Sequence, residues 1–247
     1  MSAEASERFE PASLFERVLA GADGSEAGLE ATRQAARLAV PTGSLEVFTA
    51  VYLAEASLTG FSAPRVAEEL EQAAAEANRR ALELAGPAAT GRVVNGPALR
   101  SILRELEEAR AGLVVVGTHG HRRASEIVLG GVAGELLHVA PCSVLVARPP
   151  ADPARFPQAV VVGSDRSGCA GLAVGVAEHL AQRFDAGLRV LTAEDHPVAA
   201  LVEASREADL LVVGSRGLRG LKALGSVSER IAHQAACSVL VVRTRPG

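Results

Sequence analysis

The sequence predicts an α/β fold made of two doubly wound, parallel-sheet units in tandem, the second shortened by about one strand and one helix. Three observations predict it: the chain repeats itself at a long offset, short aliphatic runs alternate with amphipathic stretches, and a proline-rich segment separates the copies. Residues 111–120 (AGLVVVGTHG) return 97 positions later as 208–217 (ADLLVVGSRG), and Cys142–Arg148 returns 95 positions later as Cys237–Arg243. Near the start of each copy, Asp23-Gly-Ser25 after an apolar run is matched by Asp165-Arg-Ser167, an offset of 142. The fall from 142 to 97 leaves the second copy about 45 residues short.

Residues 1–12 carry Glu4, Glu7, Arg8 and Glu10 with no apolar stretch, which reads as a flexible tail without an export or anchor signal. The first unit, 13–148, opens with a strand at Arg17–Ala22. Further strands follow at Leu45–Val51, Gly91–Val94, Leu113–Gly117 and Ser143–Ala147, mostly continuous apolar runs of the kind buried on both faces of a parallel sheet. Between them Ala27–Val40, Val66–Ala85, Leu99–Ala109 and Val132–Val139 carry helical periodicity. Val66–Ala85 is acidic and alanine-rich, a solvated face over an apolar stripe. Residues 149–157 hold Pro149, Pro150, Pro153 and Pro157, too many for regular structure, and read as a linker. In the second unit, 158–247, a strand ending before Asp165 is followed by one at Leu188–Ala193 that runs almost directly into a helix near Pro197. Both units are Rossmann-like in this order of elements.

Composition narrows the function. Of 247 residues 48% are hydrophobic but only 3% aromatic, with no Trp and one Tyr, so the core is aliphatic and a base-stacking nucleic-acid platform is disfavoured. A net charge of -4 with scattered arginines offers no basic field for nucleic acid or an anionic membrane. Cys142, Cys169 and Cys237 are odd in number and far apart, which fits buried thiols in a reducing, cytoplasmic compartment rather than a disulfide framework or zinc site.

In doubly wound sheets ligands lie beyond the carboxyl ends of the strands, which directs attention to the turns after Ala22 and Gly117. Gly117-Thr-His-Gly120, nine residues, then Gly130-Gly131 lead into a helix at Val132. Glycines there let a ligand approach the backbone, and N–H groups at a helix start favour an anion such as phosphate. Neither G-x-x-x-x-G-K-[ST] nor a G-x-G-x-x-G after a strand is present, and Lys222 is the only lysine. The same glycines also suit plain strand-to-helix turns, and Asp23 and Asp165 also suit helix caps.

The arrangement resembles the universal stress protein family, whose ATP-binding members carry G-x-x-G, nine residues, then G-[ST]. The resemblance covers nearly the whole chain, twice. It implies phosphate contacts from Gly117, Thr118, Gly120, Gly130, Gly131 and Val132, with Gly131 standing where the family has Ser or Thr. It implies Asp23 near the ribose beside Gly21 and Ala22, and backbone contacts to adenine from Ala50 or Val51. In the second unit Asp165, Gly214, Gly217, Gly225 and Ser226 keep the residue types, but seven residues separate the inner glycines. The implied function is a stress-response regulator binding ATP, ADP or AMP, with Mg, chiefly in the first unit. The alternatives are a nucleotide-free protein-interaction module of the same family and, further off, a nucleotidyl-transferring enzyme. No nucleophile–base pair or paired carboxylate stands at a strand end, so no catalytic residue is assigned. His119 and His121 with Arg122 and Arg123 read as exposed loop residues rather than metal ligands. His138 and His233 read as a repeated packing or helix-end pair. By the same resemblance Ser143–Ala147 and Ser238–Val242 pair within the chain as a pseudo-dimer, with a homodimer and unidentified protein partners as further associations.

Overall fold

A computed structural model describes residues 10–53, 63–119, 129–165, 167–192, 196–215 and 226–243. The strands are β1 (Arg17–Gly21), β2 (Ser44–Val51), β3 (Thr90–Asn95), β4 (Leu113–Gly117), β5 (Ser143–Ala147), β6 (Ala159–Gly163), β7 (Gly187–Leu191), β8 (Leu210–Gly214) and β9 (Ser238–Val242). The helices are α1 (Glu26–Leu38), α2 (Ala63–Ala85), α3 (Ala98–Glu108), α4 (Gly131–Val139), α5 (Gly168–Phe184), α6 (Pro197–Ala204) and α7 (Ser226–Gln234). All nine strands form one sheet in the order β3-β2-β1-β4-β5-β9-β8-β6-β7. Every neighbouring pair is parallel except β5 and β9, which are antiparallel with Leu145 opposite Leu240.

The order reads as two doubly wound halves joined at their last strands. Among the described residues the second half has no counterpart of β3, in line with the 45-residue deficit. Its consequence is visible at one residue. Val47 in β2 is fully buried in a small core with Ala22, Leu29 and Ala81 of α2, whereas Val190 in β7, which pairs with Val162 as Val47 pairs with Ala20, is 51% exposed.

Strand alternation sends side chains into two cores, one on each face, and each core draws on both halves. One combines Val18, Ala20, Val115, Leu145, Val162 and Leu240 with Ala35 and Leu38 of α1 and Val176 and Leu180 of α5. The other combines Leu19, Val114, Val146, Val161 and Val239 with α3, α4, α6 and α7.

The ends of the chain segments pack more closely than the sequence suggests. A 3-10 helix at Pro11–Phe15 starts within the expected tail. It buries Leu14 and Phe15, and the Phe15 ring stacks on His179 of α5 at 6.0 Å. The proline-rich connection forms a 3-10 turn at Pro153–Arg155 capped by Asp152, and Phe156 is buried in the core while its carbonyl accepts from Arg37 Nε at 3.0 Å. Proline excludes α-helix and sheet here but permits this short turn, and burial of one phenyl ring anchors it.

The repeated Cys-Ser-…-Arg segments build the joint. Arg148, one residue past β5, donates to the carbonyls of Ala232 (2.7 Å) and Cys237 (3.3 Å). Arg243, one residue past β9, donates to Ala140 (2.5 Å) and Leu137. Each guanidinium thus caps the carbonyl end of the other half's last helix, where positive charge complements the helix dipole. Ser238 Oγ accepts from Arg148 N at 2.9 Å and Ser143 Oγ from Arg243 N at 3.0 Å, a reciprocal pattern. Burial works against the charge on both arginines.

Candidate functional site

Where β1 ends, the strands on either side diverge in length. Gly21 is paired with Phe48, and Ala22 N donates to Phe48 O at 2.9 Å as the last bond of that ladder. β2 continues for Thr49, Ala50 and Val51, paired only with β3. These three residues overhang the crevice by about 10 Å. Peptide groups along a strand point alternately to its two sides. Val51 O is taken on the β3 side by Gly96 N at 2.8 Å, so Ala50, like Phe48, presents its N–H and C=O towards the crevice. No hydrogen-bond partner for them occurs among the described residues. Of the two positions expected to supply backbone contacts, Ala50 is the one whose groups are open.

On the β1 side Asp23 does not cap α1 directly. Its Oδ1 accepts from Ser25 N at 3.0 Å and from Ser25 Oγ, and Ser25 is the N-cap, accepting from Gly28 N at 3.1 Å. The second unit repeats this: Asp165 Oδ1 accepts from Ser167 N and Oγ, and Ser167 caps α5 by accepting from Ala170 N at 3.3 Å. The sequence signal is Asp-x-Ser in both copies; the cap belongs to the Ser and the Asp holds it. Asp23 and Asp165 are solvent-exposed at the ends of their strands.

The glycines of the third wall separate by cause. A Cβ on Gly117 would lie 2.6 Å from the Ala27 backbone, so glycine there is required by the first turn of α1. Gly130 is the N-cap of α4; its N–H donates to Thr118 O at 2.6 Å, closing the turn, and a Cβ would sit 3.1 Å from that oxygen and 3.2 Å from His119 Cα. Gly131 begins α4 exposed, and among the described residues no atom outside its own chain neighbours and helix backbone lies within 4 Å of where its Cβ would be. Val132 follows it, half-buried. The first turn of α4 is thus approachable on its Gly131 side, with the unpaired N–H groups that every helix start carries. His119 Nδ1 is buried and has no partner among the described residues. Gly120, His121, Arg122 and Arg123 lie outside them.

In the second unit Ser164 N donates to Leu191 O at 3.0 Å, the counterpart of Ala22 with Phe48, and β7 ends there, so among the described residues it has no paired extension like that of β2. Gly214 ends β8, and its carbonyl accepts from Ser228 Oγ at 2.9 Å. Gly217, Gly225 and the Ser226 side chain lie outside the described residues. His138 and His233 sit in the last turns of α4 and α7, the matching helix-end positions, and His138 Nε2 lies 3.3 Å from Glu229 Oε1 of α7. Cys142 and Cys237 are buried, and burial pushes the Cys237 thiol up to about 12, which keeps it protonated.

Two half-sheets with a crevice beyond β1, walled by an overhanging β2 and a glycine-led helix, form a recognisable unit. The family model for universal stress proteins matches residues 14–148 and again 193–243. The chain belongs to the universal stress protein family. Among universal stress proteins, Rv1996 of Mycobacterium tuberculosis is 27% identical over 237 residues, covering 73% of each chain. MJ0531 of Methanocaldococcus jannaschii is 29% identical over 145 residues, 56% of this chain and 84% of that one. A solved universal stress protein from Archaeoglobus fulgidus superposes over 94% of this chain and 98% of its own with a TM-score of 0.72 at 20% identity, a likeness of fold. No helix among the described residues is long and apolar enough to cross a membrane.

Proposed function

We propose that this universal stress protein is a cytoplasmic stress-response regulator that binds an adenine nucleotide, ATP or its di- or monophosphate, in the crevice of the first unit. The observation that supports the reading is the N–H and C=O of Ala50, without a partner among the described residues in the β2 overhang, on the same carboxyl side of the sheet as the first turn of α4 at Gly131. A donor and an acceptor on one residue of a strand edge match the ring-nitrogen and amino edge of adenine, and the α4 turn suits phosphate. Gly130, Gly131 and Val132 would hold phosphate and Ala50 the base, with Asp23 beside the ribose. Bound nucleotide would bring phosphate charge, and with it Mg, to the mouth of α4. The reading is one of binding, and no catalytic residue is assigned to the crevice.

Calorimetric titration of Mg-ATP into ligand-stripped protein tests this beside Gly131→Asp, which places a carboxylate in open space at the first turn. Saturable heat in the native protein, lost in a variant of unchanged melting temperature, is expected. Absence of heat up to millimolar ATP sinks the proposal. That result would favour the nucleotide-free interaction module, for which Gly131, lacking the family's hydroxyl, already speaks.

A further inference from the structure

The chain has six phenylalanines, one tyrosine and no tryptophan. Among the described rings Phe15, Phe48 and Phe156 are at most 1% exposed, and Phe184 lies beneath two guanidinium groups, Arg37 at 5.0 Å and Arg183 at 4.8 Å. Tyr52 is different. It is 45% exposed and follows Val51 directly, at the tip of the β2 overhang. Its backbone is held on both sides, by Gly96 N on Val51 O at 2.8 Å and by Leu53 N on Asn95 Oδ1 at 3.3 Å. A phenol ring that contributes little to the core sits on a pinned turn only two residues along the chain from the peptide groups of Ala50, a separation of about 7 Å that a tyrosine side chain can span to cover a planar heterocycle paired to those groups.

We propose that Tyr52 stacks on the base of the bound nucleotide and makes the first unit's site selective for a base over a bare ribose phosphate or polyphosphate. This rests on the nucleotide reading above. Aromatic stacking is tolerant of base identity, so the ring supplies affinity for any nucleobase while the Ala50 groups select adenine.

Because Tyr52 is the sole tyrosine and no tryptophan masks it, intrinsic emission of the full-length protein reports on this one ring. ATP, corrected for its own absorbance, should change that emission over the same concentration range in which calorimetry shows heat. Tyr52→Leu should weaken ATP about 5- to 150-fold. Tyr52→Phe should keep most of the affinity, and inorganic triphosphate should bind the native protein and Tyr52→Leu alike. ATP heat with unchanged emission and undiminished binding by Tyr52→Leu would overturn the stacking role and leave the nucleotide reading standing. Equal loss of ATP and triphosphate in Tyr52→Leu would also overturn it, by showing a general disturbance of the site. No ATP heat in the native protein would remove both.

Discussion

At the scale of single residues, the same residue type has different causes at neighbouring positions. Gly117 and Gly130 answer to packing, whereas Gly131 meets no such neighbour among the described residues, which is why it is the informative one. The repeat and the spacing made all three visible, but only distances to Ala27 and Thr118 separate them. Glu46 offers a residue-scale prediction. It is half-buried, and its pKa is raised chiefly by burial and then by Glu105, with Arg92 opposing. Its carboxyl is therefore easier to protonate in the folded than in the unfolded chain. The associated stability is fully present below the ordinary glutamate value and is lost as pH rises through the raised one. Glu46→Gln should melt higher than the native protein at pH 7, by less than about 1 kcal/mol because solvent screens the group, and thermal scans should show the gap closing on acidification.

At the scale of elements, boundaries follow caps and prolines. α1 begins at Glu26 because Ser25 takes the Gly28 N–H, and it ends at Leu38, before Pro41. Ser25→Ala and Ser167→Ala should each cost about 1 kcal/mol in urea denaturation, whereas alanine at Ser13, whose hydroxyl serves only an exposed 3-10 turn, should cost much less. The strands were legible to within a residue or two, most sharply β4, β5, β8 and β9, because a strand buried on both faces admits few residue types, whereas the edge strands β3 and β7 are largely exposed. The deletion in the second unit was equally legible, as a change of offset. What was not legible was the β2 overhang: it depends on the register of Gly21 against Phe48, and no single segment encodes register. The choice of Ala50 over Val51, and with it the interest of Tyr52, came from that register.

At the scale of the whole molecule, the joint is reciprocal. The pairing of β5 with β9 was an expectation from family resemblance, but the crossed arginine caps were not legible, since they join groups 84 and 103 residues apart. Arg243→Ala leaves the carbonyls of Leu137 and Ala140 without their cation and should cost about 2–4 kcal/mol by denaturation. A fragment of residues 10–148 would bare the β5 edge and one side of both cores, and light scattering should find it self-associated. The antiparallel joint also has a directional consequence. Strands of the first half run one way and those of the second run the other, so the two carboxyl edges point away from each other across the sheet. The protein therefore has two poles, one bearing the Ala50–Gly131 crevice and the other the carboxyl ends of the shortened unit's strands. A macromolecule docked at the far pole leaves the near one uncovered, so antagonism between it and a small ligand would have to be transmitted through the shared cores, not imposed by blockade.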